Sequence, residues 1–305
     1  MNTVNRYIVV HRHFYGGGGI GDFIRAAMSF YSICKRNNFE YYIDFDINPN
    51  LKKCFNFREL PEEIKNLNLN TNTITFFQGQ IIFEEKSFTE IVLNNPNVIN
   101  ILHSNAIGIE SKENIYNIRE DFINNILKPN NEVNNYINNT FQKYNISENN
   151  YISVHARCGD KHIKKNNSNY VTDHEWININ DDEIYRKFSN SIEKFKNDNN
   201  LNLPVIIHSD SNIFKENLKK INPEYLTIDI DVTHISEPLG PQNIESYIAT
   251  IGEFFIISRA NIIYSPYTYS GYAHLASILG TKKIYSHRNH YYYDLLNFDN
   301  IIYIN

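Results

Sequence analysis

The stretch Tyr151-Ile-Ser-Val-His-Ala-Arg-Cys-Gly-Asp160 gathers an imidazole, a guanidinium and a carboxylate behind an apolar run. Tyr151 to Val154 has the β-rich, apolar composition of a short buried strand, entered from the polar run Ser147 to Asn150. Such a strand delivers His155, Arg157 and Asp160 at its carboxyl end, where Gly159 permits a sharp turn. In an open α/β sheet that edge is where ligands bind. A guanidinium fixed there suits a diphosphate, because its planar fork binds oxyanions bidentately and never loses its charge. An Arg–Asp pair that merely ties down the loop would use the same residues.

Two later strand ends carry similar clusters. Leu203-Pro-Val-Ile-Ile-His208 reads as a strand, and Ser209-Asp-Ser211 follows it. Ser209 or Ser211 is equally suited to capping the next helix. Asn261-Ile-Ile-Tyr264 is a strand, after which Ser265-Pro-Tyr-Thr-Tyr-Ser-Gly271 turns into a small-residue helix, Tyr272 to Leu279. A serine- and threonine-rich turn at a helix amino terminus offers N–H groups and hydroxyls to an anion, or simply caps the helix. Between the first two clusters runs a long polar loop from Cys158 to about Asn180, with Lys161, His162, Lys164, Lys165, His174 and Trp176. Loops of that length in compact domains are usually functional or disordered.

The first half opens with a strand around Ile8-Val-Val10, the glycine run Gly16-Gly-Gly-Gly-Ile-Gly21, and a helix to about Arg36. Ile20, Phe23, Ile24, Ala27, Met28, Tyr31 and Cys34 recur at helical spacing and form its buried stripe. Tyr41 to Phe45 is a second strand, so the chain begins as a βαβ unit. Gly16, Gly18 and Gly21 match G-x-G-x-x-G, with Asp44 or Asp46 where a dinucleotide site wants an acid. Four consecutive glycines satisfy almost any glycine pattern, and a loop that lets another group approach the backbone needs them as much.

The remaining elements are those that must position these clusters. Strands at Thr73–Phe77 and Val98–Leu102 and helices near Phe88–Leu93 and Arg119–Leu127 continue the alternation. Glu132 to Tyr144 is a helix that closes the first domain, with the boundary in the polar stretch Asn145 to Asn150. Beyond it come a helix bearing Ile184, Phe188, Ile192 and Phe195, a long helix from Gln242 to Ile257, and a last strand from Lys282 to Tyr285. The expected architecture is α/β in two domains, 1–146 and 147–305. The bulk numbers agree. A chain of 305 residues with 42% hydrophobic and 14% aromatic content is globular, and a net charge of −5 argues against a general nucleic-acid binder. Cys34, Cys54 and Cys158 form neither a disulfide framework nor a zinc pattern, which fits a reducing compartment. With neither a signal-like segment nor an apolar run of spanning length, the expected location is cytoplasmic.

In this order the clusters resemble the α1,2-, α1,6- and protein O-fucosyltransferase superfamily. His155-Ala-Arg-Cys-Gly-Asp160 is similar to its His-x-Arg-Arg-x-Asp motif, and Ser209-Asp-Ser211 to its strand ending Ser/Thr-Asp-Asp. Thr268-Tyr-Ser270 resembles its Ser/Thr-Phe-Ser turn, with Glu253-Phe-Phe-Ile-Ile-Ser-Arg-Ala260 before it. Gly18-Gly-Ile-Gly-Asp22 resembles its Gly-Gly-x-Gly-Asn loop. The resemblance implies a GT-B fold, two Rossmann-like domains facing across a cleft with the donor held mainly by the second. It implies that Arg157 holds the donor β-phosphate, that His155 and Asp210 meet the nucleobase or ribose, that Thr268 and Ser270 meet the diphosphate, and that Ser209, Tyr269 and Gly271 belong to the same donor site. Gly18, Gly19 and Gly21 form the glycine loop. No metal or other cofactor is implied, and Asp229-Ile-Asp231 reads as a strand end. Cys158 replaces the second arginine of the motif, and Asp22 stands where the fucosyltransferases carry Asn. Gly-Asp at that turn instead resembles the heptosyltransferases, also GT-B enzymes.

The implied reaction is inverting sugar transfer, with L-fucose from GDP-fucose as the favoured donor and a glycan or other hydroxyl as acceptor. It needs a cation for the departing diphosphate, supplied by Arg157, and a base for the acceptor hydroxyl, Asp22 or else Asp160. The 158–180 loop is placed to close over the donor. A heptosyltransferase-like enzyme, an NAD-dependent oxidoreductase on the first βαβ unit, and a non-catalytic nucleotide- or sugar-binding protein remain the alternatives.

Overall fold

A computed structural model describes residues 5–13, 19–67, 69–76, 85–104, 112–159, 177–230, 242–266, 270–287 and 301–304. Chain contacts divide into two units, Met1–Asn130 and Asn131–Asn305.

The first unit is built on a parallel sheet. Strands β1 (Ile8–Arg12), β2 (Glu40–Asp44), β4 (Thr71–Phe76) and β5 (Ile99–Ser104) lie in the order β2-β1-β5-β4. Helix α1 (Ile20–Arg36) crosses over from β1 to β2. The seven residues read as its apolar stripe are all buried, but so are Ala26, Ser29, Phe30, Ser32 and Ile33. The helix is therefore enclosed on nearly every side: Phe23 and Phe30 meet His11 of β1, and Phe30 meets Phe88 of α4 (Glu85–Leu93). Helix α5 (Lys112–Asn125) packs on α1 and starts earlier than the apolar pattern suggests. The short α2 (Pro49–Lys52) and α3 (Glu62–Lys65), and the antiparallel pair β3 (Phe55–Phe57) with β6 (Leu127–Pro129), carry no periodic signal of their own.

The second unit holds a six-stranded parallel sheet. Its strands are β7 (Ile152–Ala156), β8 (Val205–Ser209), β9 (Leu226–Thr227), β10 (Ile262–Ser265), β11 (Ile284–His287) and β12 (Ile301–Ile304). They lie in the order β12-β11-β10-β7-β8-β9, every pair parallel. The chain thus runs outward from β7 to β9, returns to the middle, and runs outward again from β10 to β12. This is the doubly wound order of a dinucleotide fold, and its switch point lies between β7 and β10. Every residue of β7 and β8 is buried, as expected of central strands covered on both faces. Ile152, Val154 and Ala156 pack against Phe188, Ile192 and Phe195 of α7 (Asp182–Asp198) and Phe214 and Leu218 of α8 (Asn212–Ile221). Helices α9 (Ile244–Ser258) and α10 (Gly271–Gly280) pack on one another in the same unit.

Helix α6 (Asn131–Lys143) was expected to close the first domain. It packs on α9 of the second unit, where Tyr136 lies so close to Gly252 that any side chain at 252 would fall on its ring. Its apolar stripe is legible in sequence, whereas the surface that covers the stripe is set by packing alone. The polar stretch Asn145 to Asn150 lies inside the second unit, where Asn149 receives an N–H from Asn261 at its carbonyl.

Candidate functional site

The site is assembled at the carboxyl ends of β7, β8 and β10. Strand alternation first sorts the residues that leave β7. Ala156 and Cys158 continue the apolar face, so the Cys158 side chain is buried in the core, 3.3 Å from Ser209 Oγ. Burial pushes its thiol well above the usual range, so it stays protonated. Position 158, an arginine in the motif it resembles, is therefore a packing position here. His155 and Arg157 take the opposite direction.

Arg157 donates from Nη1 to Asp210 Oδ2 at 2.5 Å. Asp210 is almost fully buried just beyond β8, and its two oxygens collect more than this pair. Oδ1 receives the Cys158 N–H at 2.6 Å, and Oδ2 the Gly159 N–H at 2.9 Å. The Ser209 hydroxyl adds a longer contact to Oδ1 at 3.4 Å. A carboxylate offers about four lone-pair sites, and four donors occupy them. Asp210 thus holds the turn after β7 and the guanidinium together, and this capacity is spent before any ribose or base arrives. Gly159 supports the turn with φ 124°, a region that side chains rarely enter. On the return side, Ile177 N–H reaches the Cys158 carbonyl at 3.2 Å.

Ser209 also accepts the Ser211 N–H at 3.1 Å, and Ser211 caps α8 by accepting the Phe214 N–H at 3.2 Å. The capping alternative for this triplet is therefore realised by Ser211. On the other side of β7, Ser265 Oγ–H donates to the His155 carbonyl at 3.3 Å, stitching β7 to β10 at the switch point. Ser270 caps α10 by accepting the Ala273 N–H at 3.2 Å. A hydroxyl that accepts one bond retains its own hydrogen, and the first N–H groups of a helix have no partner within it. Ser270, with the Gly271 end of α10, can therefore still donate to an anion.

His155 is 6% exposed, and burial, with His208 and Arg157 adding smaller contributions, depresses its pKa to about 3. It is a neutral imidazole. The Arg157 side chain is 23% exposed and, among the described residues, is a charged group that this edge presents. Gly18, Asp160, Thr268, Tyr269 and Asp231 lie outside the described residues, as do residues 160–176, to which the expected closing loop belongs. Asp229 is an exposed residue beyond β9. Among the described residues no group of three or more His, Cys, Asp or Glu side chains is gathered to hold a metal ion.

In the first unit, Asp22 is the third residue of α1. Its carboxylate accepts the Gly19 N–H at 3.3 Å and an Arg25 Nη2–H at 2.6 Å. The capping role is therefore present, and the side chain keeps 22% of its exposure. Gly19 and Gly21 flank this first turn. At the end of β2, Asp44 is held by Arg12 at 2.7 Å and accepts the Asp46 N–H at 2.7 Å. Of the two acids that a nicotinamide site could aim at a ribose, Asp44 is thus engaged by its own sheet, and Asp46 pairs with Lys52 at 2.8 Å.

No protein-family model matches the chain, and no curated protein matches it in sequence. Solved structures do match. NodZ alpha-1,6-fucosyltransferase soaked with GDP-fucose is 15% identical, superposes with a TM-score of 0.58 and covers 90% of this chain and 92% of its own. NodZ from Bradyrhizobium is 16% identical at TM-score 0.58, covering 90% and 94%. An arginine-to-lysine mutant of Arabidopsis thaliana FUT1 in complex with GDP is 12% identical at 0.58, covering 95% and 72%. The fold is that of the GT-B fucosyltransferases. The likeness covers 90% or more of the chain. Sequence reasoning did not foresee the buried pair of His208 and Glu253, 3.0 Å apart. The available signal was polar residues standing inside otherwise apolar strand and helix faces.

Proposed function

We propose that the chain is an inverting glycosyltransferase that moves a sugar, L-fucose from GDP-fucose as the favoured donor, to a hydroxyl of a glycan or other acceptor. One observation carries the reading: Arg157 is fixed beyond β7 by Asp210, and across the switch point Ser270 opens α10. A diphosphate seated there meets a permanent cation on one side, and a hydroxyl with a helix amino terminus on the other. As the bond to the sugar breaks, negative charge grows on the leaving phosphate. Arg157, already oriented, stabilises it without reorganising. In this reading the protein supplies the charge itself and needs no metal.

Asp210 serves the donor indirectly, by holding Arg157 and the turn, while His155 touches the nucleotide. The acceptor hydroxyl must lose its proton to a carboxylate, for which Asp22 and Asp160 remain the candidates. Asp22 is already engaged by Arg25 and Gly19, which favours its structural role.

The test is a thermal-shift panel of GDP, UDP, ADP, CMP and NAD, with and without Mg²⁺ or Mn²⁺, since a ligand bound only by the native state raises Tm. GDP should stabilise the protein without metal, and GDP-fucose should be consumed in the presence of a suitable acceptor. Stabilisation by NAD alone, or a strict metal requirement, would refute the proposal.

A further inference from the structure

Ser153 and His155 stand on the face of β7 opposite its apolar core, two residues apart. In the parallel ladder His155 pairs in register with His208 of β8, so both imidazoles share that face. His208 is completely buried, and its Nδ1 lies 3.0 Å from Oε1 of the buried Glu253 on α9. On that face, Ser153 Oγ, His155 Nδ1 and His208 Nε2 are buried without a hydrogen-bond partner among the described residues. Buried polar atoms left alone carry a desolvation cost, and adjoining ones are commonly joined by an ordered water making about three hydrogen bonds.

One closure of the hydrogen inventory of these groups leaves His155 a donor at Nε2. A carboxylate is acceptor-only, so His208 Nδ1 carries the hydrogen, and in the neutral imidazole Nε2 presents a lone pair. A water that accepts the Ser153 hydroxyl can donate one hydrogen to His208 Nε2 and the other to His155 Nδ1. The His155 hydrogen then resides on Nε2.

We propose that Ser153, His155 and His208 bind one buried water, through which the Glu253–His208 pair locks His155 in the Nε2–H tautomer that donates to an acceptor oxygen of the nucleotide. The nucleotide contact rests on the glycosyltransferase reading; the water and the tautomer do not. His208 and Glu253 are positioning residues, and His155 is the group that touches the ligand. Burial, which keeps His155 uncharged, is consistent with a donor set by tautomer rather than by protonation.

Long-range proton–nitrogen spectra of the ¹⁵N-histidine-labelled full chain, recorded without ligand, read both tautomers. Wild type should show His208 protonated at Nδ1 and His155 at Nε2. Glu253→Gln, whose amide can also donate to His208 Nδ1, should leave His155 a mixture of tautomers and raise the GDP dissociation constant about 10-fold. Ser153→Ala should shift both readouts the same way by a smaller factor. If Glu253→Gln does not fold, Ser153→Ala carries the test alone. His155 protonated at Nδ1 in wild type overturns the proposal, as does an Nε2–H signal unchanged in every folded variant. A wild-type protein that ignores GDP would instead refute the glycosyltransferase reading, with the spectra still deciding the tautomer.

Discussion

The Arg157 guanidinium donates to Asp210 Oδ2 at 2.5 Å, and the same carboxylate gathers the N–H groups of Cys158 and Gly159. The end of β8 thus shapes the turn that leaves β7. A cation aimed at a diphosphate gains from this arrangement because its orientation is fixed before the ligand binds. A bare guanidinium on a loose loop would have to be ordered at the moment of binding.

Asp210→Asn removes the charge and replaces one acceptor oxygen by a donor. A hydrogen bond to a charged group contributes roughly 1.5–3 kcal/mol, so Tm should fall by several degrees. The GDP dissociation constant should rise by about 10-fold or more, since 1.4 kcal/mol is a factor of ten. Calorimetric titration and a melting curve measure both. Unchanged GDP affinity would show that Arg157 does not depend on this carboxylate.

Arg157→Ala should abolish transfer and weaken GDP binding while the protein still folds, because the side chain is partly exposed. Arg157→Lys should restore only a small part, since an ammonium cannot offer two parallel donors. Near wild-type turnover in the lysine variant would argue against bidentate recognition. An alanine variant that fails to fold would assign Arg157 to the turn alone.

Gly159→Ala tests the turn from its backbone. At φ 124° a side chain introduces strain of about 1–3 kcal/mol. The expected result is a modest loss of Tm with a larger loss of GDP affinity, because the Gly159 N–H moves away from Asp210. A variant with lower Tm and intact affinity would separate the turn from the site.

Asp22→Asn discriminates a cap from a base. Asparagine caps a helix about as well as aspartate, so stability should change little apart from the weakened Arg25 pair. If Asp22 takes the acceptor proton, turnover should fall by ~10²-fold or more, with GDP affinity retained. Retained turnover would leave Asp160 as the base to examine.

The protein should lose stability as acid is added, well before its carboxylates titrate. Burial depresses His11 to about 3, His13 to about 4 and His155 to about 3, from an ordinary value of 6.5. Below pH 6.5 the unfolded chain takes up protons that the folded chain refuses, so folding weakens as pH falls from 6.5 toward 4. Above 6.5 this contribution is constant. Each histidine tilts the balance by about 1 kcal/mol per pH unit in that window. Melting curves at pH 7 and pH 5 measure it, and equal Tm values would show that these imidazoles protonate in the fold.

Sequence alone settled the local elements. The 3.6-residue spacing and flanking polar groups of α1 and α9, and the β-branched runs of β7, β8 and β10, fix structure through contacts a few residues apart. The glycine and serine positions at their ends followed for the same reason, as the caps at Ser211 and Ser270 show. Short elements such as β9, β12 and the β3–β6 pair escaped, because so few residues hold no period and the neighbouring strand decides their existence. Tertiary structure alone decided which groups meet. Arg157 is paired with an aspartate 53 residues away, although another acid stands three residues on. Glu253 finds His208 across 45 residues, and α6 joins α9. Such pairings depend on strand order and on which face a helix covers, and neither is encoded in the spacing of residues along one element.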